Sequence, residues 1–342
     1  MTAAAYQTPV QLSPTPILTF DPAQAESSGP MLDCPISPEL NPHVEAAHAS
    51  AIRWAIEMGL VTHGPRLDLL TQARFAWLAA RAYPRVDGES LELIADWITF
   101  LFFYDDLCDR QEAAEAEYQA ELDAAELRLI SIAEGIVVVA KTPLDRAMAD
   151  IRERVAARAS SAWMGRLALH LREYIEGCRW ERILRQQGEV PTLATYSKLR
   201  LLISAVYPCF DFAGMCIDSR STRIAENVRV QQLEVMANNY VCWVNDIYGV
   251  DKELGEATTS NLVIVLAKEF GLSWEQALAK AIEMCNAELA AFCALEKVMQ
   301  RLGDEGCRAY VDALRSWMRG NLDWYADTGR YEAMSLTESK WN

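Results

Sequence analysis

From His43 almost to its end, the sequence places apolar residues at the three- and four-residue intervals of α-helices. Gly64-Pro65 and Thr142-Pro143 are among the breaks at which helices are expected to begin or end. Pro208 interrupts an apolar helical pattern over residues 196–215 and is expected to kink or break that helix in its middle. The sequence contains no convincing strand pair and no internal repeat. The chain is therefore predicted to fold as an all-α, single-domain helical bundle.

The two ends of the chain differ from this helical part. Residues 1–42 are rich in Pro, Ala, Ser and Thr, a composition typical of a flexible extension. The helical domain is predicted over residues 43–335, followed by a tail at residues 336–342. A hydrophobic fraction of 51%, with 10 Trp, 12 Tyr and 9 Phe, supplies enough apolar volume to line a central cavity as well as a core.

Charge and cysteine content exclude several classes of partner. A net charge of −16 argues against nucleic acid and anionic membranes as partners. The nine cysteines are scattered, without a Cys-x-x-Cys pair, and are expected to be reduced. Neither a signal sequence nor a run of about 18 apolar residues is present, so we expect a cytoplasmic protein without stable membrane association, as a monomer or homodimer.

The first candidate motif is an apolar helix that ends in carboxylates, over residues 96–110. At four-residue spacing, Trp97, Leu101, Asp105 and Asp109 fall on one stripe of this helix. Carboxylates one turn apart suit Mg²⁺, which prefers oxygen ligands and shares them with substrate phosphates. A solvated helix end is the alternative interpretation, because acidic residues are abundant in the chain.

The second candidate motif follows another apolar helix. Asn245, Gly249 and Glu253 recur at four-residue intervals and so share one helix face over two turns. An amide oxygen and a carboxylate on one face can hold a metal ion, and the adjacent Lys252 can reach an anion. The alternative is an ordinary amphipathic helix end. The pairing of two such motifs at the ends of separate apolar helices favours the metal site.

These residues resemble the motifs of class I terpene synthases. Asp105-Asp106-x-x-Asp109 is similar to their aspartate-rich motif, and Asn245-Asp246-x-x-Gly249-x-x-Lys252-Glu253 to their second metal motif. Arg200, 45 residues before Asn245, resembles the arginine with which bacterial members sense diphosphate. Trp324 followed by Arg330-Tyr331 resembles their C-terminal Arg-Tyr pair, so that the likeness extends over about residues 41–331.

The resemblance implies a Mg²⁺-dependent enzyme that binds three Mg²⁺ ions, with Mn²⁺ as an alternative. The implied metal positions are Asp105, Asp109, Asn245, Gly249 and Glu253. Asp105 would bind two of the ions, Asp109 would support it, and Asn245 and Glu253 would bind the third. Gly249 departs from the family, which usually has a Ser or Thr ligand at that position. Ile203 departs as well, since several bacterial members have Asp three residues after the sensor arginine.

The residues that the resemblance assigns to the diphosphate are Arg200, Lys252, Arg330 and Tyr331. Together with Asp105 they form the implied catalytic set. Arg200 could alternatively be a buried ion-pair residue, and Arg330-Tyr331 could be part of the surface. Aromatic faces stabilise carbocations, and the candidates for the cavity wall are Trp97, Phe102, Phe103, Trp324, Tyr207 and Trp243.

The implied reaction is ionisation of a linear prenyl diphosphate, for which farnesyl diphosphate is the expected substrate, and cyclisation to a sesquiterpene. Geranyl, geranylgeranyl and C-methylated prenyl diphosphates are the alternatives. A chain-elongating prenyltransferase shares the fold but should show a second aspartate-rich motif, where this chain has Asn245, Gly249 and Glu253. A non-catalytic helical binding protein is a further alternative, for which Gly249 is the best argument.

Overall fold

The computed structural model describes residues 31–108, 116–255, 258–302 and 304–328. Within these ranges the chain forms α-helices and no strand, which confirms the predicted all-α fold. The helices are α1 (Val44–Glu57), α2 (Pro65–Ala73), α3 (Phe75–Ala82), α4 (Gly88–Cys108), α5 (Ala116–Ala133), α6 (Pro143–Ala156), α7 (Ser161–Gln187), α8 (Leu193–Ile203), α9 (Val206–Ile217), α10 (Val228–Gly255), α11 (Leu262–Phe270), α12 (Trp274–Leu302) and α13 (Glu305–Asp327).

Helix α4 lies in the centre of the bundle. Every residue from Leu93 to Leu101 is buried, so this helix is enclosed on all sides instead of presenting one face to solvent. It packs against α1 and α3, while α10 packs against α12 and α13. The apolar helix of the first motif is thus the core element around which the others assemble.

Several helix boundaries fall where the sequence predicts breaks. Helix α6 begins at Pro143, and Thr142 caps it: the Thr142 hydroxyl accepts from the Asp145 N–H at 3.1 Å. The Asp145 carboxylate accepts in turn from the Thr142 N–H at 2.9 Å, which completes a capping box. Helix α7 ends before Gly188, whose φ of 65° is readily adopted by glycine.

The break between α8 and α9 does not lie at Pro208, and that prediction is wrong. The helix is interrupted at Ser204 and Ala205, where Ala205 adopts a φ of 54°. Pro208 is the third residue of α9, in the first helical turn, where the missing N–H removes no bond within the helix. In the described ranges, no single helix is long and apolar enough to span a membrane. Taken together, α8 and α9 reach that length and composition, but they are bent by 46° at the break.

The segment 31–42 lies within the predicted N-terminal extension and contacts the bundle. Ile36 is buried, and its carbonyl oxygen accepts from Arg319 Nη1 of α13 at 3.1 Å. The Asp33 N–H donates to Asn286 Oδ1 of α12 at 3.0 Å. These contacts hold residues 33–36 against α12 and α13.

The last turn of α13 is anchored to the junction of α2 and α3. Trp324 Nε1 donates to the Arg74 carbonyl oxygen at 3.2 Å, and the Thr328 hydroxyl donates to the Ala73 carbonyl oxygen at 2.9 Å. Arg74 stands between α2 and α3 with a φ of 52°, which directs the chain from one helix into the next. Trp324 and Thr328, which precede Arg330-Tyr331 in the chain, are therefore held in place by the junction of α2 and α3.

Candidate active site

A cavity of about 140 Å³ lies between the helices that carry the two polar motifs. Its wall is mostly apolar and also includes the polar side chains of Asp105, Arg200 and Asn245. The other wall residues include Leu78, Ile98, Leu101, Phe102, Tyr174, Val241, Trp317, Asn321, Trp324 and Tyr325. Ser204, Ala205 and Val206 also line it, so the break between α8 and α9 forms part of the cavity wall.

The face of α4 that lines the cavity carries Ile98, Leu101, Phe102 and Asp105. These positions recur at three- and four-residue intervals, which brings a carboxylate to the end of an apolar stripe as the sequence predicts. Phe102 packs against Phe75 with ring centroids 4.1 Å apart. Phe102 and Trp324, two of the predicted wall residues, also contact each other, at 5.5 Å.

Trp97 and Phe103 were predicted in the wall, and the structure places them elsewhere on α4. At 100° per residue they lie roughly 90° and 150° from the centre of the cavity face. Trp97 is fully buried and packs against Phe212 of α9 at 5.3 Å. Tyr207 packs instead against His170 at 5.4 Å. An interval of exactly four residues drifts around the helix, so the predicted stripe beginning at Trp97 is displaced from the real one.

The end of α4 is held by a buried ion-pair cluster that sequence reasoning missed. Glu126 of α5 accepts from the Tyr104 hydroxyl at 2.8 Å, directly before Asp105. The same carboxylate accepts from Arg182 Nη1 at 2.8 Å and Arg179 Nε at 2.6 Å, both on α7. Arg182 and Glu126 are almost completely buried. The cluster fixes the start of the acidic motif against two neighbouring helices.

Arg200 and Asn245, predicted from distant parts of the sequence, are in direct contact. Arg200 Nη2 donates to Asn245 Oδ1 at 2.8 Å, and Arg200 Nε donates to Asp246 Oδ1 at 2.9 Å. Asp246 also accepts from the Tyr196 hydroxyl and, at 2.6 Å, from the Leu262 N–H. The fully buried Asp246 carboxylate thus joins α8, α10 and the start of α11.

Glu253 lies two turns beyond Asn245 and folds back over Gly249. A Cβ atom at position 249 would stand 2.7 Å from Glu253 Oε1, so glycine leaves the space that this carboxylate occupies. Asn261 Nδ2 donates to Glu253 Oε2 at 3.0 Å and to the Asp246 carbonyl oxygen at 2.9 Å. Burial, together with the neighbouring Asp246 carboxylate, raises the pKa of Glu253 to about 8.

The remaining predicted site residues are divided between described and undescribed parts of the chain. Lys252 lies in the last turn of α10 and is half-buried. Asp109, Arg330 and Tyr331 fall outside the described residues.

The family model for terpene synthase family 2, C-terminal metal binding, matches residues 96–291, more than half of the chain. The chain belongs to the bacterial-type class I terpene synthases. The protein is therefore an enzyme. Its family consists of lyases that have a metal-binding helical domain.

Relatives cover almost the whole synthase. It is 35% identical to the (+)-T-muurolol synthase of Roseiflexus castenholzii over 87% of this chain and 92% of the relative. It is 29% identical to the germacrene A synthase of Nostoc punctiforme over 91% of this chain and 98% of the relative. The crystal structure of α-eudesmol synthase superposes with a TM-score of 0.75 at 23% identity, covering 86% of this chain and 98% of that one, which shows the shared fold.

The oxygen donors of the synthase fit the divalent metal ion that its family implies. Asp105 and Glu253 offer carboxylates and Asn245 offers an amide oxygen, the hard ligands that such ions prefer. Asp105 and Asn245 line the same cavity, and Asn261 orients Glu253 on the same helix as Asn245. Arg200 stands beside Asn245 and can meet an anion that bridges the motifs.

Proposed function

We propose that the synthase is a Mg²⁺-dependent sesquiterpene synthase that ionises farnesyl diphosphate, cyclises the carbocation and releases diphosphate. The observation that carries this proposal is that one cavity has an apolar, partly aromatic wall and is also lined by Asp105, Arg200 and Asn245. Relatives support the substrate: the muurolol synthase and the 4-epi-cubebol synthase of Streptosporangium roseum are both named as cyclising (2E,6E)-farnesyl diphosphate.

In this proposal the polar side chains of the cavity wall bind the diphosphate. Asp105, Asn245 and Glu253 hold Mg²⁺, three ions in all, with Asp109 in support, and residues 43–335 form the catalytic domain. Bound Mg²⁺ stabilises the negative charge that develops on the departing diphosphate. Arg200 and Lys252, with Arg330 and Tyr331, donate to the diphosphate oxygens. No protein nucleophile is required, because bond cleavage is driven by stabilisation of the leaving group.

The apolar side chains of the cavity wall bind the hydrocarbon chain. Phe102 and Trp324 present aromatic rings that stabilise a carbocation without offering a lone pair that would trap it. Leu78, Ile98 and Val241 complete a wall that excludes water. Their arrangement sets the fold of the bound chain and thereby the ring that closes.

The test is incubation of the purified protein with geranyl, farnesyl, geranylgeranyl and C-methylated prenyl diphosphates, with and without Mg²⁺, followed by gas chromatography and mass spectrometry. We expect a cyclic C15 product from farnesyl diphosphate that appears only with the metal. A product from another chain length alone would correct the substrate. Absence of product from every substrate would contradict the proposal and favour a binding role.

The variant Asp105→Asn identifies the motif responsible. Turnover should fall by at least roughly a hundredfold, because the loss of one electrostatic group at a developing charge costs about 3–4 kcal/mol. The melting temperature should stay close to that of the wild type, since Asp105 is half-exposed at the cavity rim. Activity near the wild-type value would remove the first motif from the mechanism.

A further inference from the structure

The amide of Asn245 is held at both of its ends. Its oxygen accepts from Arg200 Nη2 at 2.8 Å, and its nitrogen donates to the Tyr325 hydroxyl at 2.7 Å. A guanidinium group donates hydrogen bonds and cannot accept them, so the amide atom that faces Arg200 is the oxygen. The amide nitrogen consequently faces Tyr325 on α13.

Tyr325 is itself fixed by packing between two helices. Its ring is stacked on that of Tyr248, with centroids 4.4 Å apart and planes inclined by only 4°. It also contacts Trp324 at 5.5 Å. Tyr248 lies one helical turn after Asn245 on α10, so the stack ties the Tyr325 hydroxyl to the helix that carries the second metal motif.

In the proposed function, a metal ion binds the same Asn245 oxygen that accepts from Arg200 in this structure. Arg200 also pairs with the buried Asp246 carboxylate, and an amide oxygen has a second lone pair with which it can face a metal ion. The bond from the amide nitrogen to Tyr325 involves the other end of the group and can persist while the oxygen binds metal. This bond restricts rotation of the Asn245 side chain and so keeps the direction of its oxygen fixed.

We propose that Tyr325 is a positioning residue that keeps the Asn245 amide oxygen directed at the metal site. The inference rests on the proposed function above, because it assigns Asn245 to the metal. Gly249 makes the role more important: its position supplies no side-chain oxygen, so the second motif depends on fewer protein ligands. Tyr325 thus acts through Asn245 and not on the reacting atoms.

Tyr325→Phe tests the proposal, because it keeps the stacked ring and removes only the hydroxyl. Tyr248→Phe is the matched control, which removes a hydroxyl from the other ring of the same stack. Mn²⁺ binding is measured by electron paramagnetic resonance at a fixed concentration of inorganic diphosphate, for the wild type and both variants, against protein-free samples that account for the Mn²⁺–diphosphate complex in solution. We expect Tyr325→Phe to weaken Mn²⁺ binding roughly three- to tenfold, as the loss of one hydrogen bond predicts, and Tyr248→Phe to stay within about twofold. Equal affinity of Tyr325→Phe and the wild type, or equal weakening in both variants, would overturn the proposal.

A double-variant cycle with Asn245→Ala separates positioning from general packing. If Tyr325 acts through Asn245, then Tyr325→Phe should change Mn²⁺ affinity less than about twofold once Asn245 is replaced. An undiminished effect in that background would show that the hydroxyl acts elsewhere. Kinetically, Tyr325→Phe should raise the metal concentration needed for half-maximal rate by a larger factor than it lowers kcat at saturating metal.

The binding measurement keeps the two proposals distinguishable. A wild-type protein that binds Mn²⁺ with diphosphate but turns over no prenyl diphosphate would contradict the proposed function, while the comparison of variants would still decide the role of Tyr325. A wild-type protein that does not bind Mn²⁺ with diphosphate would overturn both.

Discussion

At the residue scale, the space above Gly249 is filled by the Glu253 carboxylate, which lies 2.7 Å from the position of a Cβ atom. A side chain at position 249 therefore has to displace Glu253. Because the obstructing atom is the end of a flexible side chain, the displacement requires a change of rotamer and not a movement of the helix. Position 249 thus controls where Glu253 points.

Gly249→Ser should retain activity and tighten apparent Mg²⁺ affinity roughly two- to fivefold. The hydroxyl adds an oxygen ligand at the position where the family usually has one, and the Cβ atom moves the Glu253 carboxylate away from residue 249. The measurement is the Mg²⁺ dependence of the turnover rate. Gly249→Ala is the control, since it displaces Glu253 without adding an oxygen. If both variants lose activity alike, the carboxylate functions only in its present position over Gly249.

Asp96 makes the stability of the protein depend on pH. It is buried in α4, where desolvation raises the pKa of its carboxyl to about 7, against the lowering effect of Arg154 at 2.7 Å and the raising effects of Asp150 and Glu92. Between about pH 4 and pH 7 the unfolded chain has lost this proton while the folded chain retains it. The folded state is then destabilised as pH rises through this window, and the effect levels off above pH 7.

The variant Asp96→Asn cannot lose that proton. Its free energy of unfolding, relative to the wild type, should therefore increase by roughly 1 kcal/mol per pH unit from about pH 4.5 to pH 7, and stay constant above. Urea denaturation of both proteins at several pH values gives this difference. A difference that is independent of pH would show that the Asp96 carboxyl is ionised throughout.

Sequence reasoning found the residues that share a motif and missed those that support them. Asp105, Asn245 and Arg200 stand at intervals that the sequence reveals, and the fold brings them to the wall of one cavity. Glu126 and Tyr325 support them from other helices, through pairings that helical periodicity does not encode. Such contacts depend on the rotation of one helix against another, which a single sequence leaves undetermined.

At the scale of elements, the contact of α13 with α3 depends on Gly320. A Cβ atom there would stand 2.6 Å from the Arg81 carbonyl carbon and 2.7 Å from the Ala82 nitrogen, both backbone atoms that cannot yield by a rotamer change. The missing side chain lets the two helix backbones approach closely. Since Trp317, Asn321 and Trp324 of α13 line the cavity, this contact also sets one side of it.

Gly320→Ala should destabilise the fold by about 1–3 kcal/mol, because the added methyl forces the two helices apart. Gly165→Ala is the matched control: position 165 is exposed in α7 and nothing lies within 4 Å of its Cβ position. That change should stabilise the protein by about 1 kcal/mol through helix propensity alone. Chemical denaturation of the two variants checks the opposite signs, and loss of stability in both would contradict the packing argument.

The position of the break between α8 and α9 shows what sequence determines at this scale. Pro208 correctly indicates that one helix cannot continue through residues 196–215. It does not fix the break, because proline is accepted in the first turn of a new helix and Ala205 adopts the left-handed conformation in its place. Tertiary packing around the cavity selects among the positions that proline permits.

At the scale of the whole molecule, the segment 31–40 closes the outer side of α12 and α13. Arg319 donates to the carbonyl oxygens of Cys34 and Ile36 at 3.2 and 3.1 Å, and Ile36 is only 6% exposed. Burial of one isoleucine contributes about 2 kcal/mol. The Pro-rich composition predicts an extension here, but it does not reveal which carbonyl groups Arg319 reaches.

A chain that begins at residue 41 should therefore melt at least about 3 °C below one that begins at residue 31, given roughly 2–4 °C for each kcal/mol in a protein of this size. The comparison isolates the segment 31–40, because both chains lack everything before it. Differential scanning calorimetry gives the two melting temperatures. Equal values would show that the segment rests on the bundle without stabilising it.

The buried Asp246 carboxylate, which receives Arg200, Tyr196 and the Leu262 N–H, has a consequence for engineering. This carboxylate joins three helices next to the polar residues of the cavity. Leu78 and Ile98 in the apolar wall make no side-chain hydrogen bond to it. The residues that bind Asp246 thus form a part of the site that should stay constant, and the apolar wall forms a part that can be varied. New products should be sought by substituting residues of the apolar wall such as Leu78 and Ile98, with Asp246 and its partners left unchanged.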